Sequence, residues 1–198
     1  MINAFNSILL YLICIFFVGC KSNTAHPDDF KSFSAGFEQL SIPANINDFA
    51  AFRKVLDEKK IETLFSDHYG MNETQDIPKD SVQCYYYGKY ESKNYTVLLY
   101  KQIIFHSNVE IPKLIMNTYS HDGKKLDSLI ALWNESKDSH SDVRTILRIQ
   151  DDHSLDIKVI ESELDDWHHV KNSEVKILKY LIEKNGKIIK IQEIKKDV

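Results

Sequence analysis

From Val82 onward one unit recurs. Runs of seven to eleven residues rich in aromatic and β-branched side chains alternate with short clusters of Asp, Asn, Ser, His and Gly. The runs are 82–90, 95–105, 113–119, 125–133, 143–150, 154–161, 174–182 and 187–194. Within 154–161, Leu155, Ile157 and Val159 alternate with Asp156 and Lys158, the period of a half-buried strand. Asp122-Gly123 and Asn185-Gly186 are hairpin signals, because primed two-residue turns need positive φ. The connections are too short to hold a helical crossover, so the strands must pair antiparallel with their chain neighbours. The pattern predicts a meander of about eight strands in four successive hairpins, curved or barrel-like.

Upstream the period changes. In "DDFKSFSAGFEQLSIP", residues 28–43, Phe30, Phe33, Phe37 and Leu40 fall on one helical stripe, with Asp28 or Asp29 to cap it and Pro43 to end it. Asn47 or Asp48 starts a second amphipathic segment carrying Phe49, Phe52, Val55 and Leu56. Two helices followed by a run of strands predict an α+β fold with the helices segregated from the sheet. The stripe of phenylalanines reads as core.

The N-terminal residues set the address. "ILLYLICIFFV", Ile8 to Val18, is wholly apolar. Its eleven residues fall short of the ~20 that a spanning helix needs and match the apolar region of a signal peptide. The run breaks at Phe17-Val18-Gly19-Cys20 and turns polar at Lys21-Ser22-Asn23. These residues resemble the lipobox of bacterial lipoproteins, although Met1 to Ser7 carries no Lys or Arg. The resemblance implies cleavage before Cys20, a lipid on its thiol, and three parts: signal peptide 1–19, lipidated tether 20–29 and a single globular domain 30–198. Cys14 then leaves with the signal and Cys84 is the one cysteine in the domain, so no internal disulfide forms.

The order of a lipobox, an aromatic helix ending in "LSIP", a "YYYGKY" strand, "YSHDGKKLDSL" and a final "YLIEKNGKIIKI" is similar to a group of uncharacterised lipoproteins from Bacteroidota. Their pattern is a strand, a Gly-centred turn and Gly-Lys-x-Ile/Leu-Asp. Gly123-Lys124-Lys125-Leu126-Asp127 matches all of it and Gly186-Lys187-Ile188-Ile189 its first part. What this resemblance implies is a fold and a location in the cell envelope, with no activity attached. Surface-export signals in such lipoproteins are acidic close to the cysteine. Lys21-Ser22-Asn23 is not, which points to an outer-membrane protein facing the periplasm.

The net charge of −4 and the absence of a basic block argue against a nucleic-acid partner. No Gly-x-Ser-x-Gly, His-Glu-x-x-His, Cys-x-x-Cys or phosphate-cradling glycine loop occurs, so the chain reads as a non-enzyme without a cofactor. Two clusters remain. Tyr85, Tyr87 and Tyr90, with Trp167, offer rings for a sugar or a peptide, against a plain packing role. A meander gathers its alternate connections at one end, which would bring together His140, Asp166, His168 and His169, residue types that ligate Zn²⁺ when three or four converge. The competing reading is a solvated polar loop. The functional expectation is an envelope binding module for a protein, peptide or glycan, anchored through Cys20. The alternatives are a metal-dependent accessory protein or enzyme using the His/acid end, or a protective lipoprotein that neutralises an incoming toxin or hydrolase. The oligomeric state is not legible.

Overall fold

The computed structural model describes residues 27–47, 54–56, 82–106, 109–138 and 140–197. The expected signal peptide, Cys20 and most of the expected second helix lie outside them. The chain runs α1 (Pro27–Ser34), β1 (Glu38–Gln39), β2 (Ala44–Ile46), β3 (Val82–Glu91), β4 (Thr96–His106) and β5 (Val109–Tyr119). It continues through β6 (Lys125–Trp133), β7 (Glu135–Asp138), β8 (Ser141–Ile149), β9 (Ser154–Leu164), β10 (Val170–Ile182) and β11 (Ile188–Asp197).

The strands form two sheets, in the orders β1-β3-β4-β5-β6 and β11-β10-β9-β8-β2, with β7 paired to β8. Each sheet is built on a four-strand antiparallel meander. The expected single curved or barrel-like meander is therefore corrected: it divides after β6, and the two halves stack instead of closing. The division follows from the strand faces. In β4, Val97, Leu98, Leu99 and Tyr100 are all buried, so this sheet needs cover on both sides. In β9, buried Leu155, Ile157 and Val159 alternate with more exposed residues, so the second sheet needs cover on one.

Between the sheets lies the main core, with Val97, Leu99, Leu114 and Met116 facing Leu147, Ile149, Leu155 and Ile157. The other face of the first sheet carries a second core, in which Phe30, Phe33 and Phe37 pack with Leu98, Tyr100, Ile115 and Tyr119. The phenylalanine stripe is core, as its spacing predicts. An eight-residue helix is marginal alone. Burial of each phenylalanine contributes roughly 1.5–3 kcal/mol and holds it in place.

The helix is shorter than its stripe. A Cβ on Gly36 would come within 2.7 Å of the Tyr86 ring, so the chain passes tightly over β3 there, and the helix closes in i+3 bonds from Gly36 N to Phe33 O and from Phe37 N to Ser34 O. The chain then extends into β1, parallel to β3. The expected second helix is also corrected where it is described. Val55 pairs with Tyr85 as a β-bridge, Leu56 N donates to Cys84 O at 2.8 Å, and Leu56 is buried beside exposed Val55. Among the described residues the architecture is thus mostly β with one short helix, not an α+β pair of helices.

Four hairpins share one turn. Ser120, Gln150, Asp165 and Glu183 each donate their N–H to the carbonyl four residues on, at 2.8–2.9 Å. The residue three positions on donates back, at 2.9–3.1 Å, and has positive φ: Gly123 at 87°, His153 at 64°, His168 at 61° and Gly186 at 83°. Only the glycine of Asp122-Gly123 and of Asn185-Gly186 is left-handed, so these are not primed two-residue turns. The geometry is a type I turn followed by one left-handed residue.

A Cβ on Gly123 would also lie 2.6 Å from Phe30 Cβ, locking the 120–124 turn to the start of α1. Gly123→Ala is expected to destabilise the protein by roughly 1–3 kcal/mol through overpacking and positive φ. A urea titration checks this; an unchanged midpoint would show that the helix and turn are not packed as described.

Candidate functional site

The meander places its connections as the alternation of turns requires. The tips 92–95, 120–124, 150–153 and 183–187 share one end. Asn94 Nδ2 donates to Lys184 O at 3.1 Å, His121 Nε2 lies 3.0 Å from Lys93 O, and Thr118 Oγ1 donates to Gly186 O at 2.6 Å. The 134–140 and 165–169 connections lie at the opposite end, where Leu164 N donates to His140 O at 2.6 Å.

At that second end the 165–169 turn carries Trp167 at its tip. The indole is 80% exposed, and Val170 beside it is 61% exposed. The tip is nonetheless fixed. Asp165 Oδ1 accepts the N–H groups of Trp167 and His169, both at 2.8 Å, in addition to the two backbone bonds of the turn. The N–H of His169 leads the interactions that hold the Asp165 carboxyl below the usual carboxylate range. His169 Nδ1 stands 3.4 Å from Asp165 Oδ2, and His140 Nε2 3.3 Å from Asp166 Oδ1.

Of the four residues expected around a metal, His140 and Asp166 meet each other, His169 meets Asp165 instead, and His168 joins neither contact. Among the described residues, no group of three or more His, Cys, Asp or Glu side chains is arranged to hold a metal ion. His168 takes the left-handed position of the turn, which directs its backbone differently from that of His169.

The tyrosines do not form one surface. Tyr87 has no partner in the β3–β4 register, which shifts between Tyr86 and Gly88. This bulge turns the face over: Tyr86 packs against Phe33 and Phe37 on the helix side, whereas Tyr87 and Tyr90 pack on the inter-sheet core. Tyr90 is 1% exposed and so cannot serve a surface platform, a correction to its grouping with Tyr85 and Tyr87. Tyr85 is half-buried; its hydroxyl donates to Gln83 Oε1 at 2.7 Å, and Lys101 Nζ lies 6.0 Å from its ring centre. Gly88, an isolated glycine in a strand-like run, is the signal that marks such a bulge. A side chain there would meet Leu40 at 2.6 Å.

Two further features are not evident from sequence. His153 stacks on Tyr90, ring centres 5.9 Å apart and 11° from parallel, with Tyr95 edge-on. Tyr90 Oη and His153 Nδ1 are buried without a hydrogen-bond partner among the described residues, and burial pushes the Tyr90 phenol upward. An open depression of about 530 Å³ lies near the same end, lined by Gln150, Asp151, Asp152, Asp156, Lys179 and Ile191, among others. Cys84 is buried under the helix-side core, and desolvation pushes its thiol up to about 12. It offers no thiolate nucleophile at neutral pH.

No family model, curated protein or solved structure matches the chain. Its chemistry is read from its own geometry. Among the described residues, no helix is long and apolar enough to cross a membrane.

The Asp165 contacts predict a pH dependence with a definite sign. A carboxyl whose folded pKa is depressed stabilises the turn above its unfolded pKa, and that stability is lost as pH falls through the lower, folded pKa. Measured as protection relative to the intrinsic exchange rate at each pH, the Trp167 and His169 amides should stay protected at pH 5, lose protection only below the usual carboxylate range, and be unprotected at every pH in Asp165→Ala. Amides equally protected in that variant would remove the carboxylate from this role.

Proposed function

We propose that the chain is an envelope lipoprotein, held to the outer membrane through lipid on Cys20 and facing the periplasm. In this reading its folded domain is a non-catalytic binding module for a protein, peptide or glycan. The observation that carries the binding role is Trp167. A large apolar ring 80% exposed costs free energy in water, and here it sits on a turn whose carboxylate and backbone hydrogen bonds fix its position. Exposed aromatic residues on a backbone already held in place, with polar neighbours, are what partner contacts are built from, because the loop need not be ordered on binding. The flanking Glu163, Asp165 and Asp166 add acceptors, and His140, His168 and His169 add imidazoles. Such a rim suits a partner bearing basic groups, amides or hydroxyls.

The anchor is supported by the break of the apolar run at Gly19-Cys20 and by the free Cys84, which leaves the domain independent of disulfides. Two or more acyl chains hold a soluble body stably at a bilayer.

Two outcomes test the reading. Capture from an envelope extract with the mature domain, residues 21–198, should yield a stoichiometric partner that Trp167→Ala loses at least tenfold, with the melting temperature unchanged. Retention by the alanine variant would discard the Trp167 tip as the contact. Separately, Cys20→Ala should leave the precursor unprocessed by the lipoprotein peptidase and lacking the acyl anchor; processing and lipid labelling that persist would refute the lipid site.

A further inference from the structure

We infer that the end of the sandwich bearing the 92–95, 120–124 and 183–187 tips faces the membrane. Its exposed lysines meet anionic phospholipid headgroups, and Trp167 is held at the far, membrane-distal end. This rests on the lipid attachment at Cys20 proposed above.

The first support is where the chain enters the fold. Phe30, in the first turn of α1, packs on Tyr119 with ring centres 5.0 Å apart, and its Cβ sits over Gly123. The helix therefore begins beside the 120–124 tip. Only six residues, seven Cα–Cα steps, separate Cys20 from Pro27, where α1 starts. Fully extended, they reach at most ~25 Å. The thirteen residues of β10 run from Val170, beside Trp167, to Ile182, beside the 183–187 tip. At ~3.3 Å per residue that strand is roughly 40 Å long. A tether shorter than the body, attached near one end of it, keeps that end close to the bilayer.

Charge follows the same axis. The tips 92–95, 120–124 and 183–187 are joined by the Asn94, His121 and Thr118 hydrogen bonds. They carry Lys93, Lys124, Lys184 and Lys187, all exposed, against the carboxylates of Asp122 and Glu183. The fourth tip of this end carries Asp151 and Asp152 beside the open depression, so over all four tips lysines and carboxylates balance and the excess of lysine is confined to the three bonded tips. At the other end, residues 161–171 carry Glu161, Glu163, Asp165 and Asp166 against Lys171. Anionic headgroups attract lysines within about a Debye length and repel the carboxylate-rich end. The short tether makes that orientation local, since it brings the lysine tips within reach of the surface without any further binding event.

The test uses the full lipidated chain on vesicles of phosphatidylcholine with about 30% phosphatidylglycerol, an anionic surface of the kind that attracts lysines. A fluorophore is placed by Lys184→Cys or by Asp166→Cys, and a quencher is carried on the lipid headgroups. Buried Cys84, with its raised pKa, does not compete for the label. The position 184 label should be quenched at least threefold more than the position 166 label. Lys93→Glu, Lys124→Glu and Lys187→Glu together should reduce that difference, as should raising the salt, while flotation with the vesicles persists. Floating protein with equal or reversed quenching overturns the orientation and leaves the anchor standing. Floating protein whose difference ignores both the charge reversals and salt overturns the lysine contact. Protein that never floats overturns the anchor and this orientation with it.

Discussion

The structure depends on the burial of β4 and β5 from both sides. Leu98, Tyr100 and Ile115 point one way and Val97, Leu99, Leu114 and Met116 the other. A sheet with two apolar faces cannot stand in water. One face is covered by the second sheet. The other is covered by three phenylalanines delivered by α1 and the chain just after it. The helix is short because its task is short: it delivers Phe30 and Phe33, leaves Phe37 to the following turn, and passes over Gly36 into β1. The second sheet is covered by the core on one face only, and its outer face carries Arg144, Arg148 and Lys158 beside half-buried Ile146, Ile160 and Ile177.

That asymmetry also fixes the ends of the molecule. Because each sheet is a meander, its turns must fall alternately at two ends. The hydrogen bonds from Asn94, His121 and Thr118 then tie tips from both sheets together. Asp127 Oδ2 accepts Ile188 N at 2.8 Å, adding a link from β6 to β11. Thr145 Oγ1 donates to Trp133 O and accepts Trp133 N, both at 2.7 Å, linking β6 to β8. The sandwich is thus fastened along β6 by side chains, where a barrel would use a continuous backbone ladder.

Much of this was legible in the residues. The eight long strands fall close to their sequence runs because period and turn residues agree at each. The continuous burial of "TVLLY" beside the alternation of "LDIKV" holds the distinction between a doubly covered and a singly covered sheet. The split into two sheets was harder to see, since a connection that crosses between sheets and one that forms a hairpin are equally short. The helical stripe misled beyond Ser34 because Phe37 and Leu40 are apolar for tertiary reasons: one joins the helix-side core, the other packs over Gly88. For the site, the grouping of His140 with Asp166 followed from meander geometry alone. The burial of Tyr90 did not, because the bulge at Tyr87 reverses the faces midway along β3.

The turns carry the last step. Positive φ costs little at Gly123 and Gly186 but more at His153 and His168, whose side chains disfavour the left-handed region. A turn that serves only to reverse the chain is best filled by glycine, and both glycine turns carry close contacts, to Phe30 and to Leu126. The two histidine turns differ. His153 turns its ring onto Tyr90 and Tyr95, so packing offsets the backbone cost. His168 sits beside a mostly exposed indole, in a turn held by the Asp165 carboxylate. There the chain keeps a less favourable residue in a turn whose side chains project outward.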